Sequence, residues 1–126
     1  MAYMDVAPVV QSNGQVVVLF HGMNFFAAAF RPTIEALRAR GFRVIAVDRL
    51  GYGRSSKPLI HYNLHIPVRN TKELLDKLGI ERAAIVGHSM GGMVATRFAS
   101  TYPRTTTHVV MVNQIGLTDT RHGRPW

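Results

Sequence analysis

The sequence contains no cysteine and few acidic residues, and these shortages exclude several classes of protein. Without cysteine among its 126 residues, the chain has no disulfide scaffold, no cysteine-ligated metal site and no catalytic thiol. Its apolar runs are short and broken by charge, so none approaches the ~20 residues that span a bilayer. The first eleven residues lack a basic cluster before an apolar stretch and do not resemble a secretory signal. We therefore expect a soluble, cytoplasmic protein with no membrane span.

The shortage of acidic residues leaves an excess of positive charge. Fifteen Lys and Arg against seven Asp and Glu give a formal net charge of +8, which raises nucleic acid as a partner. Between residues 31 and 82, however, basic and acidic residues are interleaved and no block of like charge stands out. This pattern favours a mixed, solvated surface. Nucleic-acid binding is the weakest of the functional hypotheses, and we expect no nucleic-acid partner.

Four short apolar runs alternate with helical patterns along the chain. The runs predict buried strands at 16–20, 44–47, 83–86 and 109–112. The apolar spacing predicts three helices. The first covers 27–37 and is stopped by Gly41, and the third runs from about Met90 to Tyr102-Pro103. The helix between them has two possible starts, after an Asn63 cap or at Pro67. This alternation predicts the α/β class, a mostly parallel sheet flanked by helices.

The run at 83–86 leads directly into the sequence Gly87-His88-Ser89-Met90-Gly91. A serine between a strand and a helix, with glycine two positions before and after it, is typical of the nucleophile elbow. The small residues permit the strained turn, and Gly92 gives the helix further room to approach the sheet. Such a turn exposes the Ser89 hydroxyl at the carboxyl end of the sheet and places the Met90 N–H at a helix N-terminus. The alternative is a tight turn without catalytic chemistry, and we expect His88 to point into the surrounding structure.

Two further motifs occur in the expected order. His21-Gly22-Met23-Asn24 follows the first buried strand, and a D-x-x-G-x-G-x-S loop beginning at Asp48 follows the next. Read by itself, the second loop could be a phosphate-binding turn, but it lacks the remaining features of a dinucleotide or P-loop motif. Together with the Ser89 motif, these sequences resemble the α/β-hydrolase family, in its serine-nucleophile branch of esterases, lipases and carbon–carbon bond hydrolases. A carboxylate nucleophile, as in epoxide hydrolases and dehalogenases, is not indicated.

The resemblance implies a partial α/β-hydrolase fold with family strands in the order 2-4-3-5-6, from a second strand at 2–6 to a sixth at 108–113. It also implies that the N–H groups of Met23 and Met90 form an oxyanion hole, and that His21 and Asp48 are structural. If the resemblance holds along the chain, we expect it to lack the strands that follow the family's sixth strand and the family's cap. We expect a truncated core domain over 1–113 and an irregular tail over 114–126 that begins a cap.

A serine nucleophile needs a general base and an acid that orients it, and the family supplies them in the order Ser, Asp or Glu, His. By the resemblance, both would follow strands that this chain does not contain. Asp119 and His122 occur in the right order, but they lie only three residues apart in the tail. We treat them as weak candidates, because a working base needs a packed surrounding shell.

The sequence thus predicts a serine hydrolase that acts on carboxylic esters or similar small acyl substrates through an acyl-enzyme at Ser89. We expect no cofactor and no metal. The alternative is a catalytically incomplete hydrolase fragment or a non-catalytic binding module. In either case the last strand would be an exposed sheet edge, which predicts self-association.

Overall fold

The computed structural model describes residues 1–117, and the expected cap segment therefore lies mostly outside the described residues. Five strands, three α-helices and one short 3-10 helix make up this part. The strands are β1 (Tyr3–Val6), β2 (Val16–Phe20), β3 (Arg43–Val47), β4 (Ala83–His88) and β5 (Thr106–Val112). The 3-10 helix is Ala27–Phe30, and the α-helices are α1 (Arg31–Arg38), α2 (His65–Lys77) and α3 (Met90–Thr101).

The strands form one sheet in the order β1-β3-β2-β4-β5. Strand β1 is antiparallel to β3, and the other neighbours are parallel. In family numbering this is the predicted order 2-4-3-5-6, so both the α/β class and the strand order are confirmed. Since β2 and β4 are adjacent and parallel, their carboxyl ends lie side by side, and Phe20 pairs with Gly87. The two loops that carry the His21 and Ser89 motifs therefore leave the sheet next to each other.

The sheet is buried between two apolar layers. On one side Val18, Phe20 and Ile85 pack with α2 and α3, where the rings of Phe20 and Phe98 lie 6.3 Å apart. On the other side Val17, Leu19 and Val44 pack with the 3-10 helix and α1. Continuous apolar runs such as 16–20 are needed here, because a central parallel strand is covered on both faces.

The helices depart from prediction in two places. The helix expected over 27–37 is divided into the 3-10 helix Ala27–Phe30 and α1, because Pro32 lies at the start of α1, where proline favours the first turn of a new helix. Helix α1 also ends at Arg38, ahead of the expected stop at Gly41. For α2, the first of the two possible starts is correct: Asn63 Oδ1 accepts the N–H groups of His65 and Ile66 at 2.9 and 3.2 Å.

The two edges of the sheet differ in polarity. At the β1 edge, Asp5 forms a two-pronged ion pair with Arg43, at 2.7 and 2.9 Å. At the β5 edge, between 38 and 49% of each apolar side chain from Val109 to Val112 is exposed within the described part of the chain. Self-association through that edge stays a prediction. None of the helices in residues 1–117 combines the length and the apolar character needed to cross a membrane.

Candidate active site

Ser89 occupies a strained turn between β4 and α3. Its backbone has φ 53° and ψ −120°, a conformation that residues with a side chain rarely adopt. The Ser89 N–H donates to the Val112 carbonyl at 3.0 Å, and the Ser89 carbonyl accepts the Gly92 N–H at 2.9 Å. Met90 is the first residue of α3, so its N–H has no partner within the helix. The turn thus places a hydroxyl at one end of the sheet, beside a backbone N–H that has no partner among residues 1–117.

The glycines around Ser89 are required by close backbone contacts. A Cβ on Gly87 would overlap the Gly91 carbonyl, and a Cβ on Gly91 would overlap the carbonyl of Phe20 at the end of β2. Gly91 therefore lets α3 approach the sheet. Gly92, which we expected to serve the same purpose, faces the Gln114 side chain instead, where an added Cβ would lie 2.8 Å from that side chain.

The loop after β2 packs directly against the Ser89 turn. A Cβ on Gly22 would lie 3.3 Å from the Ser89 Cβ and 3.1 Å from the His88 Nδ1. Met23 and Asn24 are the central residues of a β-turn in which the Phe25 N–H donates to the Gly22 carbonyl at 3.4 Å. Asn24 has φ 61°, a left-handed conformation that asparagine tolerates better than most residues. The Met23 N–H has no hydrogen-bond partner within residues 1–117, and Met23 itself is 51% exposed.

His21 is buried behind this loop. Its Nδ1 lies 2.8 Å from the Gly22 carbonyl, and its Nε2 lies 3.2 Å from the Arg49 backbone N–H. These two contacts fit a neutral ring that donates from Nδ1 and accepts at Nε2. Burial lowers the pKa of His21, and this effect outweighs the opposing hydrogen bond to the Gly22 carbonyl. The arrangement matches the structural role expected from the sequence.

Asp48 joins the loops after β2 and β3. One carboxylate oxygen accepts the Ala27 N–H at 2.6 Å, and the other accepts the Arg54 N–H at 2.9 Å. Gly53 lies so close that a Cβ there would overlap the carboxyl group. With both oxygens occupied by backbone donors, Asp48 acts as a brace and has no contact with Ser89.

Arg49 is the residue of the site that sequence reasoning missed. Only 4% of it is exposed, and its Nη2 donates to the Gly22 carbonyl at 3.1 Å. Its guanidinium carbon lies 4.8 Å from the centre of the Tyr52 ring. The only available signal was a basic residue two positions after a buried strand, which gives no hint of a partner 27 residues earlier.

A cavity of about 610 Å³ opens beside the two loops. Asn24 and Met90 border it at the Ser89 side, and Arg49, Tyr52 and Tyr62 line its wall. A smaller cavity of about 210 Å³ lies between His21, Phe25 and His88. Among the described residues, no three His, Asp or Glu side chains are grouped as metal ligands would be.

No histidine within residues 1–117 is hydrogen-bonded to the Ser89 hydroxyl. The His88 ring packs edge-on against Phe25, with centroids 6.3 Å apart, and it lines the smaller cavity. The weak candidates Asp119 and His122 lie outside the described residues. The described part therefore brings together Ser89, Met90 and the Gly22-Met23 peptide, without a general base.

Comparison with known proteins agrees with the fold. The family model of the α/β-hydrolase fold matches residues 15–124. The crystal structure of a probable hydrolytic enzyme from Pseudomonas aeruginosa is 48% identical, with a TM-score of 0.93 over 98% of this chain and 40% of its own. A meta-cleavage product hydrolase from Pseudomonas fluorescens is 34% identical, with a TM-score of 0.79 over 89% of this chain and 40% of its own. Epoxide hydrolase B of Mycobacterium tuberculosis is 41% identical over 72% of this chain and 26% of its own.

These relatives are considerably longer than the chain. It spans about a third or less of the length of several curated relatives that it matches. The match nevertheless covers most of the chain, and the sheet order agrees with it. The chain belongs to the α/β-hydrolase family.

Proposed function

We propose that the protein is a serine hydrolase that cleaves carboxylic esters or similar acyl compounds, with Ser89 as the nucleophile. The observation that carries this proposal is the Ser89 turn, which holds a hydroxyl at φ 53° between a strand and a helix. Strain of this kind persists only where the surrounding structure enforces it, and it is concentrated at functional sites. The Gly22 contact, which places the Met23 loop against the same serine, supports the proposal.

In the proposed reaction, the Ser89 hydroxyl loses its proton to a general base as its oxygen attacks the substrate carbonyl carbon. The resulting oxyanion accepts hydrogen bonds from the N–H groups of Met23 and Met90, and its collapse expels the alcohol, which takes up a proton, and leaves an acyl-enzyme. Water then attacks the acyl group and releases the carboxylic acid. The mechanism needs a base and an orienting acid beyond the groups described here.

The residue at position 89 favours this chemistry over epoxide opening by a carboxylate. Epoxide hydrolase B is among the relatives, and epoxide hydrolases of this family are the members expected to use a carboxylate nucleophile. This chain has serine at the elbow, and its nearby Asp48 has both oxygens bound to backbone N–H groups. We therefore propose acyl transfer and not epoxide hydrolysis.

The test is hydrolysis of p-nitrophenyl acetate by the protein and by two serine variants. Ser89→Ala is expected to lower kcat/KM by at least about 1,000-fold, because it removes the group that forms the covalent bond. Ser100→Ala is the matched control, since Ser100 lies near the far end of α3, the helix that follows Ser89, and within residues 1–117 its hydroxyl donates only to the Thr96 and Arg97 carbonyls. Equal turnover by wild type and Ser89→Ala would show that the nucleophile is wrong.

A folded protein with no turnover of any ester or acyl substrate would instead support the alternative, a catalytically incomplete hydrolase fragment or binding module. The observation that favours this alternative is that the Ser89 hydroxyl has no histidine partner among residues 1–117.

A further inference from the structure

Arg49 is a buried cation whose partner is a peptide carbonyl. No carboxylate in residues 1–117 forms an ion pair with its guanidinium. Its Nη2 donates to the Gly22 carbonyl, and its Nε is buried without a partner in the described part of the chain. Burying a charge costs free energy unless its surroundings compensate. The Gly22 carbonyl and the face of the Tyr52 ring provide that compensation.

The carbonyl that Arg49 binds belongs to the same peptide unit as the Met23 N–H. It also accepts from His21 Nδ1 at 2.8 Å and from the Phe25 N–H at 3.4 Å. A trans peptide is planar, and its C=O and N–H point in opposite directions. Three donors on the Gly22 oxygen therefore fix the direction of the Met23 N–H, which points away from Arg49 and has no partner of its own within residues 1–117.

Arg49 also changes the donor strength of that N–H. A cation hydrogen-bonded to a carbonyl polarises the amide, and hydrogen bonds that are linked through one peptide strengthen each other. The guanidinium is suited to this position, because it is planar, stays charged when buried and stacks on an aromatic ring. A developing oxyanion near Met23 would meet a donor that is both fixed and polarised.

We propose that Arg49 is a positioning residue that orients and polarises the Gly22-Met23 peptide so that the Met23 N–H serves as an oxyanion donor. This inference rests on the proposed function, since the oxyanion arises from attack by Ser89. Arg49 acts through the peptide: within residues 1–117 its side chain contacts the Gly22 carbonyl and the His21 ring and has no hydrogen bond to Ser89.

The orientation is tested by the residual dipolar coupling of the Met23 N–H bond, measured by NMR without any substrate. Arg49→Met is expected to change this coupling, whereas Arg54→Met is not, because the Arg54 side chain is exposed in the same loop. Arg49→Lys keeps the charge without the planar fork and should give a smaller change. It keeps the test decisive if Arg49→Met does not fold. A Met23 coupling that is unchanged in the folded Arg49 variants would overturn the proposal.

The catalytic consequence is tested by separating kcat from KM for p-nitrophenyl acetate. Misplacing one oxyanion donor should lower kcat by about 10-fold or more in Arg49→Met, with KM changed by less than about 2-fold. Arg49→Lys should recover part of kcat, and Arg54→Met should equal wild type. An unchanged kcat in Arg49→Met would overturn the proposal. If wild type shows no Ser89-dependent turnover, the proposed function fails, and the dipolar couplings still decide whether Arg49 holds the peptide.

Discussion

Two loops meet at the carboxyl ends of β2 and β4, and they are held in place by different means. The Ser89 turn depends on missing side chains: Gly87 and Gly91 allow backbone to approach backbone. The loop from His21 to Asn24 depends on side chains that are present, since His21 and Arg49 bind the Gly22 carbonyl. The first loop is fixed by steric exclusion and the second by buried polar contacts. We therefore expect them to respond to different perturbations.

An added methyl group should destabilise the Ser89 turn more than any other change considered. Gly91→Ala places a Cβ against the Phe20 carbonyl, and we expect it to lower the free energy of unfolding by more than about 3 kcal/mol, because neither backbone can give way. The measurement is urea denaturation followed by circular dichroism.

The matched control is Gly79→Ala. Gly79 has φ 67° but nothing within 4 Å of an added Cβ, so only the left-handed conformation opposes the methyl group, at a cost of about 1–2 kcal/mol. If both variants lose the same stability, close packing at Gly91 is not what holds the Ser89 turn.

Sequence reasoning succeeded for the first loop and fell short for the second for a physical reason. The Gly87 and Gly91 spacing is local, and a strained turn leaves a readable pattern in five consecutive residues. The contact between Arg49 and Gly22 joins residues 27 apart in sequence, so its partner emerges only from the parallel pairing of β2 and β3. The division of the first helix has a different cause, the position of Pro32 at the start of α1. Apolar spacing alone could not reveal it.

The loop from His21 to Asn24, called the polar loop below, should make the stability of the protein depend on pH. The Ser89 turn should not. Burial lowers the pKa of His21 below its usual 6.5. As pH falls below that value, the unfolded chain binds a proton at this residue before the folded chain does, so stability should decrease until the pH passes the folded pKa. Protonated Nε2 could also no longer accept its hydrogen bond from the Arg49 backbone N–H.

The measurement compares unfolding free energies at pH 7.5 and pH 5.5. His21→Asn should reduce the loss of stability at the lower pH, and His61→Asn, at an exposed position, should not. Asp5 does not interfere, because hydrogen bonding to Arg43 lowers its pKa from 3.8 and its contribution is lost only below this pH window. A pH dependence that persists in His21→Asn would assign it to other groups.

The smallest effect is expected at Asn24, which ends the polar loop with φ 61°. Asn24→Ala should lower the free energy of unfolding by about 1 kcal/mol, because alanine is strained in the left-handed region. Asn24→Gly should cost nearly nothing, since glycine adopts this conformation freely. Equal losses in the two variants would show that the backbone angle is not what asparagine provides.

The most direct test of the central claim is covalent labelling of the protein with a fluorophosphonate, followed by intact mass measurement and peptide mapping. The account predicts one adduct per chain, located on Ser89, which is absent from Ser89→Ala and retained in Ser100→Ala. Labelling of Ser89→Ala to the same extent as wild type would contradict it.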